Sequence, residues 1–231
     1  MTVIATRGVI LAAAGAILAS QVWAHGDVAP QPVDTAALPD VGEEWLIENP
    51  YRELEAEVWQ AAIDIGASGY NQNCARCHGL GAVSGGLAPD LRYLEAEEYG
   101  DEWFVERYRH GYTQNGITKM PAFGELLGQK AAWAIRLYVE TRPDEGALDP
   151  FSDRLKEIRD TLKDWSTGAV AAGDVDALQS ELAEIAGEVE TGSGAPIADS
   201  AAFRAANVLS AAPEYYATAA EVLTIGLPAA Q

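Results

Sequence analysis

The sequence predicts a mostly α-helical protein. In its second half, apolar residues recur at steps of three and four: Leu155, Ile158, Leu162 and Trp165, then Leu178, Leu182, Ile185 and Val189. Each set draws one apolar face of a helix. No stretch shows convincing strand-type alternation, so helices must bury what a chain of 231 residues, 48% of them hydrophobic, is able to bury.

Four segments follow in order after a leader. Residues 1–24 contain no acid, one early Arg7, an apolar run over residues 8–18, and then Val22-Trp23-Ala24 ahead of the polar His25-Gly26-Asp27. The apolar run is short for a bilayer span and the last three residues form a small-residue cleavage pattern, so a signal peptide ending at Ala24 is expected. The alternative is a retained anchor; either way the remainder is expected outside the cytoplasm, in the periplasm. Residues 25–50 hold Pro30, Pro32, Pro39 and Pro50 and read as an extended lead-in. Residues 51–143 carry every Cys, His and Met after residue 24 except His25, and form the expected functional domain. Residues 144–150 read as a linker, opening an acidic, Ala-rich helical extension over 144–231.

Within the functional domain three helices are expected. One runs over residues 54–73 into the cysteines, with Gly66 and Gly69 admitting a close helix crossing filled by Tyr70, Trp133 and Tyr138. A second is expected to be capped by Asp101, with Phe104, Val105 and Tyr108 on one face. A third, over residues 129–141, turns Ala131, Ile135, Tyr138 and Val139 inward and is stopped by Pro143. In the extension, residues 191–196 (Thr-Gly-Ser-Gly-Ala-Pro) separate off a last helical stretch over 203–223.

Charge narrows the partners. Lys and Arg number 15 against 35 acids, a net of −20, which repels nucleic acid and anionic lipid and attracts basic faces. Residues 144–231 hold 16 acids and 5 bases, against 19 and 9 in residues 25–143, so the extension is the more acidic part per residue.

The chemistry concentrates in Cys74-Ala75-Arg76-Cys77-His78. Two thiols separated by two residues reach the two vinyl groups of a haem and form thioethers, and the adjacent His78 then falls beneath the iron. A redox dithiol calls for a βαβ setting, which is absent, and a zinc site calls for a second Cys/His pair, which is also absent. One covalent haem c is therefore expected. Apart from Met1, the only methionine is Met120, 42 residues after His78 in Lys119-Met120-Pro121-Ala122-Phe123. A soft thioether stabilises ferrous iron, so Met120 is the expected sixth ligand, in a loop between two helices. His110 is the competitor, although its place at a predicted helix end has an ordinary electrostatic reading. His25 is expected to be unligated.

Supporting residues follow. Pro89, in Ala88-Pro89-Asp90-Leu91, is the candidate whose carbonyl orients His78. Arg92 is a candidate propionate partner beside Arg76, Arg107 and Arg109. Asn115-Gly116 reads as turn chemistry before the Met loop.

Helix, Cys-x-x-Cys-His, helix, Met-Pro loop and closing helix over about residues 60–143 resemble the class I cytochromes c. The expected fold is thus a class I cytochrome c fold with an additional α-helical C-terminal extension. Residues 69–80, 83–92 and 133–138 further resemble the carriers that serve periplasmic PQQ-dependent alcohol dehydrogenases, the cytochrome cL-like and PedF-like proteins. That resemblance implies electron transfer from such a dehydrogenase to another cytochrome or a terminal oxidase, with no substrate bond made or broken. A haem sensor or haem enzyme with a labile sixth ligand is the competing class, and carbon monoxide binding to the reduced protein separates the two. For the extension, helices folded back over the haem domain are weighed against a docking lobe or self-association through the C-terminal helices.

Overall fold

The computed structural model describes residues 30–227. The expected signal peptide, its cleavage after Ala24, and His25 lie outside the described residues. No helix among the described residues is long and apolar enough to cross a membrane.

The first core is built on α1 (Ala56–Asn73), the short α2 (Ala75–His78), α3 (Glu98–His110) and α4 (Gly124–Glu140). Helices α1 and α4 cross where the sequence places Gly66. A Cβ there would lie 2.0 Å from the Ala134 carbonyl oxygen, so only glycine lets the two backbones meet. Tyr70 packs on Tyr138 at 5.4 Å between ring centroids, and Trp133 is fully buried beside them. Helix α4 begins at Gly124 rather than at Gln129 as expected. Gly128, at φ +77°, breaks the first turn, so the regular helix starts where the apolar pattern does.

Asp101 is not the cap of α3. That helix starts at Glu98, and Asp101 sits inside its first turn with no exposure at all. Its carboxylate accepts from Arg52 Nη1 and Nη2 at 2.7 Å, from Arg136 Nε at 2.8 Å and from the Asn49 backbone N–H at 2.9 Å. Glu140 takes the other side of Arg52. Burial raises its carboxyl above the usual range against the pull of Arg52 and Arg136. This cluster ties the lead-in to α3 and α4. Asn49 Nδ2–H donates to the Trp133 carbonyl at 3.2 Å, and the Leu46 N–H donates to Gln129 Oε1 at 2.6 Å.

Two short strands, β1 (Tyr112–Gln114) and β2 (Ile117–Met120), pair antiparallel, with Tyr112 opposite Met120. Strands of three and four largely exposed residues are too short for alternation to announce them. Their turn is Asn115-Gly116, both at positive φ, as a tight two-residue hairpin requires. Met120 therefore ends a strand instead of lying in an open loop.

The extension forms α5 (Ser152–Thr167), α6 (Val175–Glu188), α7 (Ala201–Val208) and α8 (Pro213–Gly226). Asp174 and Ser200 cap α6 and α7 by accepting the Ala177 and Phe203 N–H, and Pro213 opens α8. The stretch expected as one helix over 203–223 is two, divided before Pro213. Leu155, Ile158, Leu162, Leu182 and Leu223 are fully buried in a second core. The expectation of helices laid over the first core is thereby corrected: the amphipathic faces cover each other, because four of them close a core of their own. The segment from Val189 through Asp199 is stitched to the first core. Thr191 bridges Pro143, the Asp144 N–H donates to the Glu190 carbonyl, the Ala96 N–H to the Ser193 carbonyl, and the Ala198 N–H to the Thr141 carbonyl.

Candidate haem site

Helix α1 ends at Cys74, and one further turn carries Cys77 and His78. The Cys77 and His78 N–H groups both donate back to the Cys74 carbonyl, at 3.1 and 3.0 Å. That turn sets the two cysteines three residues apart, the spacing of neighbours on a helix. Cys74 packs against the first core, Cys77 is exposed and His78 is buried. Burial, with the neighbouring Cys77, pushes the Cys74 thiol up to about 12.

His78 Nδ1 lies 2.9 Å from the Pro89 carbonyl oxygen. A carbonyl only accepts, so Nδ1 carries the proton and Nε2 keeps a free lone pair. The loop between the two residues is itself pinned. Tyr70 Oη–H donates to the Gly79 carbonyl at 2.9 Å. Asp90 accepts from Arg92 Nε and Nη2 at 3.0 and 2.8 Å and from the Ser84 N–H at 3.3 Å. Arg92, a candidate propionate partner, is buried against Asp90, with Nη1 donating to the Pro143 carbonyl at 3.0 Å. Burial alone raises the Asp90 carboxyl, but the hydrogen bonds from Arg92 and Ser84 outweigh it and hold it below the usual range.

Met120 is partly buried against the same core as Cys74. Its approach depends on Gly111, which the sequence reading passed over. At φ +69°, a Cβ on Gly111 would lie 2.4 Å from the Met120 carbonyl oxygen. The Phe123 N–H then donates to the Tyr108 carbonyl at 2.8 Å and returns the chain to α4. The signal that would have found Gly111 is a glycine directly after the last residue of a helix. His110 ends α3 with its side chain 57% exposed, 3.8 Å from Glu106. Arg107 lies over Trp103 and Tyr112, and Arg109 lies over Trp45.

This donor set fits a haem: an imidazole with Nε2 free, two thiols on one turn, a soft thioether, and exposed Leu80, Val83 and Leu87 in the segment that follows His78, apolar surface of the kind a macrocycle would cover. The described residues hold no group of three or more His, Cys, Asp and Glu side chains able to bind a bare metal ion.

A helical fold closing on a Cys-x-x-Cys-His turn with an oriented histidine defines a c-type cytochrome. The family model described as cytochrome c oxidase, cbb3-type, subunit III matches residues 61–139. Over 132 residues the chain is 52% identical to cytochrome c550 of Pseudomonas aeruginosa, covering 57% of this chain and 90% of that protein. The chain belongs to the cytochrome c family. It is an electron carrier whose cofactor is a single covalent haem c. It is also 35% identical over 82 residues to the quinohemoprotein alcohol dehydrogenase ADH-IIG of Pseudomonas putida, 36% of this chain and 11% of that enzyme. A third similarity, 30% over 112 residues, is to the cbb3-type cytochrome c oxidase subunit FixP of Rhizobium meliloti, 41% of this chain and 34% of that subunit. No solved structure gives a significant match.

Proposed function

We propose that the chain is a periplasmic one-electron carrier in which Cys74 and Cys77 would hold the haem, His78 and Met120 would supply ligands to its iron, and a PQQ-dependent alcohol dehydrogenase supplies the electrons. The hydrogen bond from His78 Nδ1 to the Pro89 carbonyl carries the ligation reading, because it leaves Nε2 as the donor and fixes the ring. Haem c, when bound, supplies a ferric–ferrous couple. Cys74 and Cys77 would anchor it, the Tyr70–Gly79 and Asp90–Arg92 contacts hold the 79–93 loop, and Tyr70, Trp133 and Tyr138 form a buried core closed to water.

The donor assignment is supported by the likeness to two quinohemoprotein alcohol dehydrogenases, and an onward step to another cytochrome or terminal oxidase by the likeness to FixP. Export is supported by the leader-like residues 1–24 and by kinship with cytochrome c550. A net charge of −20 steers the carrier toward basic docking faces.

Full-length protein made in a periplasm with haem-attachment machinery should retain haem on a denaturing gel, and Cys74→Ala with Cys77→Ala should abolish that. Stopped-flow mixing with a PQQ-dependent alcohol dehydrogenase and its alcohol should reduce the protein at a rate that falls as salt rises. Reduction no faster than by alcohol alone would remove the donor assignment, and a salt-independent rate would remove the steering.

A further inference from the structure

Everything beyond residue 139 lies outside the cytochrome family match, yet two routes lead from the extension into the loop that orients His78. On the first, Asp199 pairs with Arg142, whose Nε–H donates to the Gly81 carbonyl at 3.0 Å; Arg142 also lies over the Tyr138 ring. On the second, Thr191 bridges Pro143, whose carbonyl accepts from Arg92 Nη1 at 3.0 Å, and Arg92 forks onto Asp90, next in sequence to Pro89. One route ends three residues after His78, the other one residue after its hydrogen-bond acceptor. The contacts are made by partly or fully buried charged groups: the Arg142 and Asp199 side chains are each 12% exposed and Arg92 is 4% exposed. Charge-assisted bonds shielded from water in this way are stiff enough to transmit position.

We propose that the C-terminal extension is a brace on the proximal side of the haem, with Asp199 and Arg142 as positioning residues that act through the 79–93 loop on the His78–Pro89 hydrogen bond and so set the reduction potential. This rests on His78 being the proximal ligand. A firm Nδ1–H bond to a carbonyl makes the imidazole more electron-rich and favours ferric iron. Loosening the brace lengthens that bond and favours ferrous iron. The extension thus holds the potential lower than the cytochrome fold would without it.

The test compares full-length, haem-loaded wild type with Asp199→Asn and Arg142→Gln. Ile158→Val serves as a control that trims the extension's own core without touching the stitch. Asp199→Asn lies wholly in the extension and is the milder change if Arg142→Gln folds poorly. Two readouts are taken, the midpoint potential and hydrogen exchange of the backbone amides of residues 79–93. Expected are a raised potential, about a threefold larger ferrous-to-ferric ratio at fixed ambient potential, and faster exchange in the loop for both brace variants, with neither in Ile158→Val. A loaded wild type whose potential survives both brace variants unchanged, whatever their thermal stability, sinks the brace alone. A wild type without thioether-bound haem sinks it together with the site reading. A potential that moves as far in Ile158→Val overturns the specific role of Asp199 and Arg142.

Discussion

His78 and Pro89 are joined by a 2.9 Å hydrogen bond from the ring Nδ1–H to the backbone carbonyl, and the Asp90–Arg92 ion pair follows directly after the acceptor. The orientation of the histidine therefore depends on side chains that never approach it directly, Asp90 and Arg92 foremost.

Asp90 gives that dependence a pH signature. Its folded carboxyl titrates below the ordinary range of about 3.9. The folded state thus binds fewer protons than the unfolded chain, and the stabilisation is complete above that range and lost as pH falls through the folded value. Asp90→Asn is expected to cost on the order of 1–3 kcal/mol at neutral pH. The difference from wild type should close in strong acid, as followed by denaturant unfolding at several pH values.

Met120→Ala should abolish the weak near-infrared band of a thioether on ferric iron, lower the midpoint potential and admit carbon monoxide to the reduced protein. His110→Ala, at an exposed helix end, should change none of the three. Spectra and gas titration check this directly, and a band that outlives Met120→Ala would move the sixth ligand elsewhere.

Asp101→Ala should be among the most destabilising single changes. It strips Arg136 Nε, Arg52 Nη1 and the Asn49 N–H of their acceptor, a carboxylate that is itself fully buried. Arg136 Nη1 already makes no hydrogen bond, its nearest acid being Glu140 at 3.4 Å. A loss of about 3–5 kcal/mol is expected from denaturant curves.

Two glycines on helices should respond with opposite signs. Gly66→Ala forces a methyl to 2.0 Å from the Ala134 carbonyl and should cost about 1–3 kcal/mol. Gly187→Ala near the end of α6 meets nothing within 4 Å and should stabilise by up to about 1 kcal/mol. Thermal melts of the two variants and wild type distinguish these outcomes.

What the sequence determined by itself is what lies within a few residues along the chain. Cys74, Cys77 and His78 share one turn because they are adjacent, Asn115-Gly116 makes a hairpin because both residues tolerate positive φ, and the apolar steps of α5 and α6 mark buried faces. Tertiary structure decided whatever depends on residues far apart meeting. Asp101 looked like a helix cap, since its partners Arg52 and Arg136 are 49 and 35 residues away and pairing at that range leaves no local pattern. Arg92 reads in the sequence as a candidate propionate partner, and no local pattern announces that Asp90 and the Pro143 carbonyl, the latter 51 residues away, accept from its guanidinium. The extension's helices were legible, but not what they cover, because an amphipathic face records that it must be buried and carries no label for the surface that buries it.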